Sequence, residues 1–231
     1  MPHNKSTIIR ELRSMLSRRP LDMLGARAVA EAQAIALLKF LDITRPAVDV
    51  GLLTQVPRVR VVIDADLHAR SLSGASGWQD GRWIVMISKK DSLTRRRFTL
   101  AHEFKHILDA PNERRAYAKI GLDDEDHRRC MEEIADYFAA SLLMPRLFIV
   151  HALRTDVRDV HRLAALFIVS PVAMSRRLRD LGLAIEAPEG QDPVLRFFRK
   201  AAISVPHRRL RSADRGGDRA IGCIADGWST G

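Results

Sequence analysis

The chain has 231 residues, enough for one medium domain with a small appendage. Its 46 % hydrophobic content excludes a disordered protein, and no run approaches the ~18 unbroken apolar residues of a membrane span. A net charge of +10 favours a polyanion or an acidic protein as partner, and the two cysteines, Cys130 and Cys223, suit a reducing, cytoplasmic setting better than a disulfide scaffold.

The first twenty residues set Lys5, Arg10, Arg13, Arg18 and Arg19 against Glu11 and lack the apolar segment of a secretory signal. They are expected to form a frayed basic arm. Residues Leu21–Leu41 predict a helix, with Leu24, Ala28, Ile35 and Leu38 as its apolar positions and Thr44-Arg45-Pro46 as its stop. Val/Ile-rich segments at Arg58–Ile63 and Trp83–Ile87, with a turn at Gln79-Asp80-Gly81, predict two or three short strands of a small, largely antiparallel sheet. A helix is expected from Ser92 or Thr94 to Asp109, ended by Pro111. Phe98, Ala101, His102 and Lys105 run along one face of it, with His106 and Asp109 on neighbouring rows.

A second long helix, from about Glu125 to Leu143, stops before Pro145. Residues 159–167 and 171–181 then read as two helices separated by Ile168–Ser170, with Ser170 as cap, Pro171 at the first helical position and Gly182 as stop. Beyond about residue 186 the composition shifts to Pro, Gly, Lys and Arg, and a flexible basic tail is expected. The class is α+β.

Chemistry concentrates in His102-Glu103-Phe104-Lys105-His106, which fits H-E-x-x-H. Residues four apart on a helix lie on one face, so both imidazoles can reach one zinc ion while Glu103 accepts a proton from water there. The third ligand is open at this point. Glu132 and Asp136 share a face of the second long helix, so one can ligate while the other accepts the remaining N–H of a histidine. Glu133 points about 100° away, toward Tyr137, and the face argument therefore favours Glu132. Asp109 and His127 are outside candidates, and Tyr137 or a nearby arginine is a guess for steadying an oxyanion. Trp83–Ile87 is the strand expected to pair with an extended substrate.

The run Arg97–His106 resembles the zinc helix of the ImmA/IrrE metallopeptidases, and Glu132–Pro145 is similar to that family's second signature. The likeness spans roughly Leu21 to Leu183. It departs at Lys105, where Gly is usual, and at Asp136, where Asn is usual. The resemblance implies a zincin-like (gluzincin) domain over residues 21–150 with one Zn2+ per chain, and it makes Glu132 the third ligand. It further implies proteolysis of a protein partner, typically a helix-turn-helix repressor of stress or mobile-element genes. Around that domain lie the arm at 1–20, a helix-turn-helix-like region at 151–185 and the tail at 186–231.

The helix pair has two readings. It can brace the active-site helices with its arginines facing water, which is the expectation. Alternatively, Ser175, Arg176, Arg177 and Arg179 can present to DNA, helped by Arg208, Arg209 and Arg211 of the tail. A DNA-binding regulator with a non-catalytic metal site is accordingly the rival function.

Overall fold

A computed structural model describes residues 7–67, 72–155 and 157–183. The tail expected from residue 186 lies outside the described residues. The element order is α1 (Ile8–Ser14), α2 (Met23–Phe40), a 3-10 turn (Val50–Gln55), β1 (Val59–Asp64), β2 (Gly74–Gln79), β3 (Arg82–Ser88), α3 (Leu93–Asp109) and α4 (Glu113–Ala116). The long α5 (Asp124–Leu143) follows, then α6 (Arg146–Arg154), α7 (Val160–Phe167) and α8 (Pro171–Asp180). The architecture is mixed α+β.

The three strands form one sheet in the order β1-β3-β2. β2 and β3 are an antiparallel hairpin whose two-residue turn, Asp80-Gly81, has φ of +48° and +76°. Positive φ at both positions matches the twist of paired strands, and Gly81 reaches it without Cβ crowding. β1 runs parallel to β3, from Val59 opposite Trp83 to Asp64 opposite Ser88. The expected antiparallel sheet is therefore half parallel. The chain leaves β1, crosses to the far edge to make β2, and returns as β3 in the middle, travelling in the direction of β1. This also corrects the substrate strand, because β3 is paired on both sides and offers no free edge.

Val85 and Ile87 of β3 are fully buried and point to the face covered by α3, which inserts Leu100, Phe104, Ile107 and Leu108. α5 packs behind with Ile134, Phe138 and Leu142, and α2 lies against it. The contact face of α2 is Ala26, Ala30, Ala34 and Leu37, whereas Leu24, Ala28 and Ile35 face solvent. Small side chains at every fourth position let two helix backbones approach closely, which larger ones would prevent. The predicted helix is present, and of its expected apolar positions only Leu38 is buried.

The N-terminal segment also differs from expectation. Ile8, Leu12 and Leu16 repeat every four residues and are buried, the first two on α1 and Leu16 just beyond its end, while Arg13 donates to the Ile107 carbonyl at 2.7 Å. An apolar stripe set among arginines docks this helix on the core, so a frayed arm does not describe residues 8–16. α6 was not anticipated. Pro145 ends one helix and starts the next within a residue, because a residue without an N–H is accepted at a helix start. Among the described residues no single helix is long and apolar enough to cross a membrane.

Candidate metal centre

α3 starts cleanly because the Ser92 side chain accepts the Arg95 N–H, and α5 starts at Asp123, which accepts the Asp126 N–H, with three acidic residues in its first turn. The two helices pack side by side. His102 and His106 on α3 thereby face Glu132 on α5.

His102 Nε2 and His106 Nε2 lie 3.1 Å apart. The Glu132 carboxylate sits 3.2 Å from His102 Nε2 through one oxygen and 3.5 Å from His106 Nε2 through the other. One donor atom from each of these three residues falls within 4.8 Å of the other two, a grouping that could hold a metal ion. Two nitrogens at about 2.0–2.1 Å from one tetrahedral ion stand roughly 3.3 Å apart, close to the spacing seen, and two imidazoles with a carboxylate form a donor set that zinc accepts. The residues present fit the ion.

The supports are in place. Asp136 Oδ1 lies 2.9 Å from His102 Nδ1, which turns Nε2 of that ring toward the centre. Burial is the largest influence on His102 and lowers its pKa. Hydrogen bonds to Asp136 and Glu132, with the charges of Asp136 and Glu103, outweigh it and raise the pKa to about 10. The carboxylates around His102 thus favour positive charge at its ring.

Glu103 is almost wholly buried and accepts a hydrogen bond from Ser76 Oγ at 2.7 Å. β2 can lie this close to α3 because residue 74 is glycine. A Cβ there would come within 2.3 Å of Thr99 Cγ2 and 3.2 Å of Glu103 Oε1. Ser76 was not legible from sequence, since a serine in a Ser/Gly stretch reads as loop. Only the strand pairing brings it to the glutamate.

The remaining candidates fall elsewhere. Glu133 pairs with Arg27 on α2. His127, in the first turn of α5, has Nδ1 2.8 Å from the Ile120 carbonyl and ties the preceding loop to the helix. Tyr137 donates to Glu31 at 3.3 Å and has the guanidinium groups of Arg27 and Arg177 near its ring. That engagement offers no support for a role at an oxyanion.

Asp109 faces the protein interior, with Oδ1 accepting from Lys105 Nζ at 2.6 Å and Oδ2 from Tyr117 Oη at 2.9 Å. Lys105 does not share the face of His102. Its fully buried ammonium reaches Asp109, Gln33 Oε1 at 2.9 Å and Tyr117 Oη at 3.1 Å. Burial lowers the Lys105 pKa and raises that of Asp109, each partner working against the shift of the other. Gln33 passes the network on to the Leu12 carbonyl of α1 at 2.9 Å.

The arginines of the helix pair divide. Arg177 is buried, donating to the Met144 carbonyl at 3.2 Å and to Glu31 at 3.0 Å, so it is not presented to DNA. It lies on the stripe of Met174, Leu178 and Leu181, a periodicity that marks the docked face. Arg176 and Arg179 are exposed, Arg176 with a nitrogen 3.7 Å from Asp136. Arg97 of α3 donates to the Ile168 carbonyl at 3.2 Å, in the turn between α7 and α8, and to the Val48 carbonyl at 2.8 Å.

Comparison with known proteins adds three findings. No curated protein matches the chain. Among solved structures, a Mycobacterium tuberculosis transcriptional regulator aligns with a TM-score of 0.49 and 17 % identity, covering 79 % of this chain and 53 % of that one. The chain thus spans about half the length of that regulator. The IrrE N-terminal-like domain of Peptidase M78 matches residues 60–179, from β1 to the end of α8. That stretch is more than half of the 231 residues, and the chain belongs to the IrrE N-terminal-like (M78 peptidase) family.

Proposed function

We propose that the chain is a zinc-dependent endopeptidase with a zincin-like active site, in which His102, His106 and Glu132 hold the ion and Glu103 is the general base. The observation that carries this reading is the convergence of those three donors from two helices beside a buried glutamate. A zinc ion held there supplies Lewis-acid polarisation of a peptide carbonyl and acidifies water at neutral pH.

The protein's own groups do the rest. Ser76 fixes one oxygen of Glu103, leaving the carboxylate oriented to accept a proton from the attacking water and return it to the departing amine. Asp136 holds the His102 ring, and enclosure of Glu103 under β2 excludes bulk water from the proton path. The outer edge of β2 is unpaired among the described residues and can take an extended polypeptide as an added strand. A protein substrate is the natural partner of such an edge. Family resemblance points to a helix-turn-helix repressor in a stress or mobile-element response, with the cytoplasm as the setting.

The rival reading, a DNA-binding regulator with an inert metal, draws less support. Arg177 is committed to internal contacts and Arg97 ties the turn of the helix pair to α3, which favours a brace. The test is metal analysis combined with co-expression against the repressor encoded next to the gene. Glu103→Gln is expected to retain zinc and lose cleavage by about 10²–10⁴-fold, whereas His102→Ala loses both. Undiminished cleavage by Glu103→Gln would remove the enzyme claim.

A further inference from the structure

We infer that Trp78 is a specificity-determining residue, forming an aromatic wall for a large apolar side chain of an extended peptide bound along β2. The inference rests on the peptidase reading for its reaction but on the strand geometry for the binding.

Paired strand residues point to the same side of a sheet. The register sets Gly74 opposite Ile87, Ser76 opposite Val85 and Trp78 opposite Trp83. Ser76 bonds Glu103, and the space above Gly74 is filled by Thr99 and Glu103. Gly74, Ser76 and Trp78 therefore all face α3. Strand and helix also run in the same direction, since the earlier residues of β2 meet the earlier residues of α3. Trp78 lies about 7 Å beyond Ser76 along the strand, beside the turn of α3 that carries His106 and Ile107. Arg13 confirms this placement, because it donates to the Ile107 carbonyl and stacks over Trp83, the cross-strand partner of Trp78.

The backbone places the same residue at the open edge. In the hairpin, the Gln79–Arg82 pair closes the two-residue turn, so hydrogen-bonded and non-hydrogen-bonded pairs alternate from there. The Ser88 N–H donates to the Ser73 carbonyl, as that alternation requires, and the Trp83 N–H turns away to the Arg58 carbonyl beside β1. The N–H and C=O groups of Ser76 and Trp78 consequently point outward from the sheet. A polypeptide added at this edge bonds to those groups, and its residue opposite Trp78 places its side chain on the site face, within reach of the indole.

Trp78 is suited to receive it. Trp78 is 51 % exposed, on a face otherwise covered by α3, and its ring stacks edge-on against Trp83 at 5.3 Å between centroids. Trp83 is itself pinned by Arg13, so the wall is held before any ligand arrives. An aromatic face fixed in this way prefers a flat or bulky apolar partner over a small one. The peptide residue concerned lies two positions from the one opposite Ser76.

The experiment uses zinc-loaded full-length protein and two blocked hexapeptides, Ala-Ala-Phe-Leu-Ala-Ala and its all-alanine counterpart. Binding is measured on the Glu103→Gln background and cleavage on the native one. The native wall is expected to favour the Phe-Leu peptide by about tenfold or more. Trp78→Ala should collapse that ratio toward one, and Trp78→Phe should retain most of it while controlling for folding. An unchanged ratio in Trp78→Ala, or no preference in the native protein, overturns the inference. Preferential binding lost in Trp78→Ala without any cleavage by the native protein would sustain the wall and reject the peptidase reading.

Discussion

One helix, α3, carries two polar clusters on opposite sides, and they have been treated differently by the fold. On the inner side Lys105, Asp109, Tyr117 and Gln33 satisfy one another at 2.6–3.1 Å. On the outer side His102, His106 and Glu132 turn their donor atoms toward a shared point, and the side chains are 12 %, 17 % and 40 % exposed. Charge compensated within the interior holds helices together. Donor atoms gathered on one point at the surface of the core form a grouping that could hold a cation. The contrast separates structural from functional polarity without appeal to residue type, since both clusters contain a carboxylate and a basic group.

The comparison can be broken first on its inner side. Lys105→Ala leaves Asp109 buried without its cation and is expected to cost about 3–5 kcal/mol in unfolding free energy, measured by chemical denaturation. Lys105→Met with Asp109→Leu removes both charges and should recover much of that loss. A Lys105→Ala protein as stable as the parent would mean that the inner cluster does not hold the helices together. On the outer side, Asp136→Ala frees the His102 ring. It should weaken zinc binding by about 10–100-fold in a chelator competition, with little change in the thermal melting of the metal-free chain. The smallest effect belongs to Glu133→Ala. Its ion pair with Arg27 is partly solvated, so stability should change by no more than about 1 kcal/mol and zinc affinity should stay at the parent value. A marked loss of zinc in Glu133→Ala would reassign the third ligand.

The two sides of α3 were not equally legible in sequence. His102 and His106 follow from spacing alone, because four residues on a helix span one turn. The pairing of Glu132 with Asp136 rests on the same rule applied to α5, and the structure sets Asp136 against His102 Nδ1. Lys105 could be read so only in part, since two of its three partners, Gln33 on α2 and Tyr117 beyond α3, are placed by no local period. The i, i+4 relation of Lys105 to Asp109 was the visible clue. Sheet order was equally hidden, for a parallel neighbour depends on which edge the chain crosses to, and this cost the assignment of the substrate strand. Two other misreadings had signals that charge obscured. The Ile8, Leu12, Leu16 stripe along and just past α1 sits among arginines, and Arg177 sits on the apolar stripe of α8.

The proposed centre is one cation shared by two imidazoles and a carboxylate. Anomalous diffraction at the zinc absorption edge, from crystals grown with stoichiometric zinc, tests this most directly. The account predicts a single strong peak about 2.0–2.2 Å from His102 Nε2, His106 Nε2 and a Glu132 oxygen. A protein that crystallises with its histidine pair intact and shows zinc bound elsewhere, or bound without Glu132, would contradict it.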